Sequence, residues 1–157
     1  MKRKIGKRIG NALMNPAWVC FIWFGMTAGI SILATSARFS APIATRPITL
    51  DIGRVVFAAL NKAELVALIV LLTIVRLSKH ARHWWALCSV LALIMIAQSA
   101  WLLPELAQRT AQIVAGSEPA PSIAHAAYST LELIKLGLLF SLGVAALTTD
   151  RVARGQS

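Results

Sequence analysis

Charged residues are scarce in this chain, and acidic residues are the scarcest of them. Its 157 residues include only six Asp and Glu, charged residues make up 14% of the sequence, and 57% is hydrophobic. A soluble domain of this size rarely needs so much apolar surface, and here the excess falls in long blocks. The composition therefore excludes an ordinary soluble domain and indicates an integral membrane protein.

Cysteine and the short motifs of enzyme chemistry are scarce as well. The sequence has no Gly-rich phosphate loop and no nucleophile elbow. Cys20 and Cys88 fall near the cytoplasmic ends of two predicted helices, where a disulfide is not expected. Together with His80 and His83 they show no short metal-ligand spacing. We therefore expect no enzyme, no cofactor and no metal site.

The hydrophobic residues form four blocks, each near the roughly 20 residues that a helix needs to cross the hydrocarbon core. The connections are too short for a separate soluble domain, so residues 1–157 are predicted to form one membrane domain. In ELAQRTAQIVAG an apolar stripe predicts a short amphipathic helix on the outer surface. The predicted transmembrane helices cover about 16–39, 53–75, 84–103 and 124–147, and the surface helix about 105–115.

The basic residues are numerous and unevenly distributed. The net charge is +10, with five Lys or Arg in the first eight residues, three between the second and third helices and two after the fourth. If the helices alternate, these ten lie on one side, and positive residues are retained in the cytoplasm. We expect a bacterial inner-membrane protein with both termini cytoplasmic. Its basic N-terminus should contact anionic lipid headgroups, and nucleic acid is not an expected partner.

The two halves of the chain resemble one another. SARFSAP ends the first helix and SAWLLP the third, and FAALNKAELVALIVLL aligns with HAAYSTLELIKLGLLF so that Glu64 falls on Glu132. This indicates two helical hairpins of the same orientation, a parallel repeat of the kind found in some transporters. The predicted fold class is an all-α membrane protein of four transmembrane helices in two similar hairpins.

Four charges interrupt the apolar helices. Lys62 and Glu64 lie in the second helix, and Glu132 and Lys135 in the fourth, all roughly 12 to 17 Å below the outer surface. Each unpaired charge near the membrane centre costs about 2.5–3.5 kcal/mol, so pairing is favoured. Lys62 and Glu64 are about 200° apart around their helix and cannot share a face. The simplest pairs are therefore Glu64 with Lys135 and Lys62 with Glu132.

Further polar residues extend this set and should face the bundle interior. Two interpretations stay open. The set fixes helix register by ion pairs and hydrogen bonds, or it lines a cavity open to the outer side for a solute, an anion or protons. In the second case Glu64 accepts a proton, and Arg38 or Lys135 contacts the anion. The predicted polar set is Arg38, Asn61, Lys62, Glu64, Gln98, His125, Tyr128, Glu132 and Lys135.

Small residues recur at helix-packing spacing in the first and fourth helices. Gly25 and Gly29 are four residues apart, as are Gly137 and Ser141. Such spacing lets helix backbones approach closely. The pattern predicts packing within the bundle more strongly than oligomerisation, although it fits both.

The segment from WFGMTAG to NKAEL, taken with HAAYSTLELIKLGLL, carries a Phe-x-Ala-Pro break after the first helix and a glutamate in the second and fourth. Here these residues are Phe39, Pro42, Glu64 and Glu132. In these features the chain resembles a group of uncharacterised four-helix proteobacterial inner-membrane proteins. The resemblance implies the four-helix topology and supplies no activity.

Two functional hypotheses follow. The leading one is a non-enzymatic membrane protein that works by helix–helix association, as an oligomer or as an accessory or structural subunit of a larger membrane complex. The alternative is a small carrier or proton-linked solute-binding protein that uses Glu64, Glu132 and Lys135. A water-filled cavity reaching Glu64 would favour the carrier, whereas charges closed into a dry network would argue against it.

Overall fold

The protein is a bundle of four long helices in a computed structural model that describes residues 13–40, 42–78 and 82–155. The predicted contact of the basic N-terminus with lipid headgroups lies outside these residues. All four helices are long and apolar enough to cross a membrane, so this is a multi-pass membrane protein. The helices are α1 (Ala17–Phe39), α2 (Arg46–Leu77), α3 (Arg82–Val114) and α4 (Ala124–Gly155).

The starts of α1 and α2 follow from local chemistry. The Asn15 side chain accepts a hydrogen bond from the Ala17 N–H at 2.9 Å, which caps the first turn of α1. Thr45 is extended before α2, and Pro47 occupies the first turn, where its missing N–H has no helical partner to lose. The helix therefore begins at Arg46, ahead of the predicted start at 53.

A helix occupies the range predicted at about 105–115, as Leu103–Val114, but it continues α3 instead of forming a separate element. The axis runs through a π-helical segment, Gln98–Leu102, into the helical stretch Leu103–Val114. Pro104 explains the π-helical segment, since its ring would clash with the carbonyl four residues earlier in a regular α-helix. The wider turn removes that clash, and the last stretch of α3 packs on α2 rather than lying apart.

The two ends of the bundle are packed differently. We call the end of the bundle where α1 and α3 end and α2 and α4 begin the distal end. The proximal end is the one where α2 ends and α3 begins. In the proximal half, the stretch Ala17–Ala28 packs along α4 around buried Trp23 and Leu139. In the distal half, α1 passes through a second π-helical segment, Gly29–Ala34, and packs mainly on α2. A gap is left between distal α1 and α4.

The small-residue pattern was expected to mediate packing inside the bundle, and this expectation is wrong. A Cβ added at Gly25, Gly29 or Gly137 would meet nothing within 4 Å, and Ser141 is exposed. Aromatic side chains take that role instead. At Gly143 an added Cβ would lie only 2.8 Å from the Phe21 ring, so this glycine makes room for an aromatic contact between α1 and α4.

Candidate functional site

Glu64 is the centre of a buried polar network at mid-bundle. It projects inward from α2 and is only 1% exposed. Its Oε1 accepts hydrogen bonds from the Trp23 indole N–H at 3.0 Å and from the Thr27 hydroxyl at 2.6 Å, both on α1. A buried carboxylate is tolerated only when such donors and a counter-charge replace its hydration.

Lys135, on α4, supplies the counter-charge. Its Nζ lies 2.7 and 2.8 Å from the two oxygens of Glu64, as the predicted pairing required. It also donates to Gln98 Oε1 at 3.0 Å. Gln98 opens the π-helical segment of α3, so all four helices contribute to this network. The network is buried and ties the helices together at one depth.

Glu132 lies one turn from Lys135 on the same helix and is much less well satisfied. Its Oε2 is 3.2 Å from Lys135 Nζ, and the Tyr128 hydroxyl is a neighbour. Neither carboxylate oxygen has a hydrogen bond of good geometry with a described residue, although the side chain is buried. Buried polar groups without partners are rare and mark sites where another group is expected.

A cavity of about 410 Å³ lies in the distal half, beside Glu132 and between all four helices. Glu64 does not line it, so the cavity stops one residue layer short of the network. Its apolar walls are Ile32, Phe39, Leu50, Gly53, Phe57, Ala58, Leu103, Leu106, Ala107, Leu133 and Leu136. Its polar groups are Ser31, Thr35, Arg38, Arg54, Thr110, His125, Tyr128, Ser129 and Glu132.

Arg38, near the distal end of α1, lines this cavity without a counter-charge. No ion pair or hydrogen bond joins it to another described residue, and its Nε is buried. The guanidinium carbon lies 5.6 Å from the centre of the Phe39 ring and 6.0 Å from that of Phe57, within cation–π range. A Cβ added at Gly53 would lie 2.9 Å from Nη1, so glycine at 53 makes room for this cation.

The mouth of the cavity is polar and its charges are partly satisfied. Arg54 donates two hydrogen bonds to Asp51 Oδ1, at 2.8 and 2.9 Å, on the exposed surface of α2. His125 is exposed at the start of α4. Deeper in, the Tyr128 ring packs edge-on against Phe57 at 5.6 Å between ring centroids. Arg38 is therefore the one cation of the cavity wall without an acidic partner among the described residues.

The predicted polar set divides into residues that the fold brings together and residues that it separates. Lys62 was expected inside, paired with Glu132, and both expectations are wrong: Lys62 is exposed on the outside of α2. The physical reason is helical rotation, because turning Glu64 inward turns a residue two positions away outward. Asn61 is partly buried apart from the network, where its Oδ1 accepts a hydrogen bond from Ser99 at 2.9 Å.

Sequence reasoning missed the role of Trp23 and Thr27, which solvate the Glu64 carboxylate. The two lie one turn apart on α1 and are fully buried. Their signal was an indole N–H and a hydroxyl on one helical face at the depth of a charged residue. Tryptophan is common at membrane interfaces, which made a buried donor role harder to recognise.

Comparison with protein-family models, with curated proteins and with solved structures finds no match to this chain. The resemblance to four-helix proteobacterial inner-membrane proteins therefore stays a prediction.

Proposed function

We propose that this protein binds a small amphipathic acid in the distal cavity, with Arg38 holding its carboxylate or phosphate. The unpaired guanidinium of Arg38 is the observation that carries the proposal. Arg38 is partly buried with its Nε fully enclosed, and a cation withdrawn from water is costly unless a counter-charge neutralises it. Arginine also presents a planar set of donors that matches a carboxylate or phosphate.

The walls of the cavity favour a ligand with an apolar body. A volume of about 410 Å³ falls within the roughly 300–1,000 Å³ typical of small-molecule sites. Ile32 and Leu133 line the cavity and are also 52% and 64% exposed on the lipid-facing surface. The gap between distal α1 and α4 thus gives lateral access from the bilayer, which suits a membrane-soluble acid.

The proposal modifies the carrier hypothesis. Glu64 and Lys135 are buried in the network and do not line the cavity, so they support the site structurally and do not contact the ligand. Of the three residues in the carrier hypothesis, Glu64, Glu132 and Lys135, it is Glu132 that lines the cavity.

The test is a binding measurement on the purified full-length protein in phosphatidylcholine nanodiscs. Decanoate and its uncharged analogue decanol are titrated into wild type and Arg38→Gln. We expect Arg38→Gln to lose about 1.5–3 kcal/mol of decanoate binding, the value of a hydrogen bond to a charged group. That corresponds to roughly a tenfold or larger loss in affinity, because each 1.4 kcal/mol is a factor of ten. Decanol binding should change little.

Arg76→Gln is the matched control, since it removes an exposed arginine near the proximal end of α2. It should bind decanoate like the wild type. Equal binding of decanoate and decanol by the wild type, or equal losses in the two variants, would show that Arg38 is not an anion site.

Association with another membrane protein is a second candidate, favoured by the position of Lys62. Lys62 shares an exposed, otherwise apolar stripe of α2 with Val55, Val66 and Ile69. It lies about 12 Å deeper along the helix than Arg54. No described residue pairs with it. Intramembrane lysines in such positions commonly pair with an acid.

The acid would have to come from a different chain. Among the described acidic residues, Glu64 and Glu132 are buried, and Asp51, Glu105 and Glu118 lie near the distal end. A second copy would bring no lipid-facing carboxylate to the depth of Lys62. The partner we propose is therefore a transmembrane helix with an Asp or Glu near mid-membrane, as expected of a subunit in a larger complex.

Blue-native electrophoresis with mass spectrometry tests this association on mildly solubilised native membranes. The wild type should migrate with a defined larger complex, and Lys62→Met should release it while Arg76→Gln does not. Restoration by pairing Lys62→Asp with an Asp or Glu to Lys change in the partner would identify the contact. Persistence of the complex in Lys62→Met would refute it.

The orientation follows from the basic residues, and we propose an inner-membrane protein with both termini cytoplasmic and the distal end facing outward. The cavity would then open toward the outer side. Labelling of a single cysteine introduced at exposed Ser117 by an impermeant maleimide, in intact cells, tests this in a Cys20→Ala, Cys88→Ala background. Labelling only after membrane disruption would show that the distal end faces the cytoplasm, contrary to this proposal.

A further inference from the structure

Glu132 and Arg38 face the distal cavity from α4 and α1 without forming an ion pair with each other. Glu132 is 4% exposed, and both of its carboxylate oxygens lack a hydrogen bond of good geometry. The cavity therefore has a cation without an ionic partner and, opposite it, a carboxylate held by one ion pair, with Lys135.

The charges of the cavity wall and of the network below it balance when both carboxylates are ionised, since the Arg54–Asp51 pair at the mouth adds one charge of each sign. Arg38 and Lys135 are positive, and Glu64 and Glu132 are negative, so two charges of each sign sum to zero. An anion that binds Arg38 adds one negative charge to a region of low dielectric, where an uncompensated charge is costly. Protonation of one carboxylate would restore neutrality.

We propose that Glu132 takes up one proton when the anionic ligand binds at Arg38, so that the site binds an acid and a proton together. This inference rests on the proposed function. The proton comes from solvent and converts the Glu132 carboxylate to a neutral carboxylic acid. Its new O–H can then donate a hydrogen bond to the ligand or to the Tyr128 hydroxyl.

Glu132, rather than Glu64, is the proton acceptor because of their different surroundings. Glu64 already accepts hydrogen bonds from Trp23, Thr27 and Lys135, and it does not line the cavity. Glu132 has the neighbouring Tyr128 hydroxyl and a 3.2 Å ion pair with Lys135, whose ammonium is already hydrogen-bonded to Glu64 and Gln98.

The other groups that face Glu132 leave it as the acceptor nearest the ligand. Tyr128 lies beside it on α4, and Arg38 faces it from α1. At the mouth, Arg54 on α2 is already paired with Asp51, and His125 is exposed to solvent. The described residues of α3 that line the cavity include no titratable side chain.

The experiment is isothermal titration calorimetry with decanesulfonate, a permanently charged probe used below its micelle-forming concentration. Binding to the nanodisc-embedded full-length protein is measured in phosphate and in Tris, whose ionisation enthalpies differ. The difference in observed heat gives the number of protons taken up. We expect a value approaching one for wild type and for Glu118→Gln, which alters an exposed glutamate outside the cavity, and near zero for Glu132→Gln.

The pH dependence gives a second readout that needs no variant. In the pH range where the ligand-bound protein holds the proton and the free protein does not, each rise of one pH unit should lower the wild-type affinity for decanesulfonate about tenfold. Arg38-dependent binding without proton uptake would overturn this inference and leave the proposed function standing. Uptake that persists in a folded Glu132→Gln would overturn it too, whereas absence of Arg38-dependent binding would remove the proposed function itself.

Discussion

The two halves of the bundle differ in how their buried polar groups are paired. The proximal half contains the network at mid-depth, and the distal half contains the cavity. In the network, Glu64 and Lys135 pair at 2.7 and 2.8 Å, and donors from α1 complete the shell of the carboxylate. In the distal half, Arg38 and Glu132 face a cavity of about 410 Å³ and lack comparable partners.

The difference teaches which charges hold the fold and which are available to a ligand. A satisfied ion pair inside a membrane gives register and depth to the helices that it joins, and removing one partner leaves an uncompensated charge. Beside the cavity, Arg38 has no ionic partner and Glu132 has one, Lys135, so these two groups are not fully satisfied in the free protein. Their cost is recovered only when a ligand and a proton complete the site.

Removal of Lys135 should have the largest effect on stability. Lys135→Met leaves Glu64 and Glu132 without a counter-charge inside the bundle, at a cost of about 3–5 kcal/mol. Unfolding in mixed micelles, followed by tryptophan fluorescence, measures the change. Lys62→Met is the matched control, because it removes an exposed lysine of α2 and should leave this stability unchanged or raised. Equal small losses in both variants would mean that the network does not hold the fold.

Close packing in the proximal half predicts an intermediate effect at Gly143. Gly143→Ala places a Cβ 2.8 Å from the Phe21 ring, and such overpacking costs about 1–3 kcal/mol. Gly137→Ala on the same helix meets nothing within 4 Å and should be neutral or slightly stabilising, since alanine is the better helix former. The same unfolding assay compares them. Decanoate binding should survive in both, because neither residue lines the cavity.

The sequence allowed the depth of the charges to be predicted but not the direction in which each one points. Helices of the same direction and equal depth were enough to pair Glu64 with Lys135. The pairing of Lys62 with Glu132 failed because depth leaves the rotation of a helix about its axis undetermined, and only one of two residues about 200° apart can face inward.

The rest of the site depends on packing that short patterns do not encode. Arg38 was predicted as an anion contact from its place on the polar face of α1. The gap that forms the cavity arises because distal α1 packs mainly on α2. That packing depends on many weak contacts together and not on a short sequence pattern. The glycine spacing was misleading for the same reason: Phe21 and Gly143, rather than Gly25 and Gly137, form the close contact of α1 with α4.

The smallest effect is expected at Gly53, and it separates the two halves most cleanly. Gly53→Ala places a Cβ 2.9 Å from Arg38 Nη1, and the flexible arginine side chain can move away at little cost in stability. Displacing the guanidinium should weaken decanoate binding by less than about tenfold, which is under 1.4 kcal/mol. Gly29→Ala, where the added Cβ meets nothing within 4 Å, is the control. Binding is measured in nanodiscs, and stability in mixed micelles.

A loss of affinity in Gly53→Ala without a loss of stability would locate the anion beside the guanidinium. It would also show that the distal half can be altered without disturbing the network. If the affinity for decanoate were unchanged, binding of the anion would not depend on the position of the Arg38 guanidinium beside α2. If stability fell as far as in Gly143→Ala, the distal half would be packed as tightly as the proximal half. The proposed difference between a network that holds the fold and a cavity that can be altered without loss of stability would then be wrong.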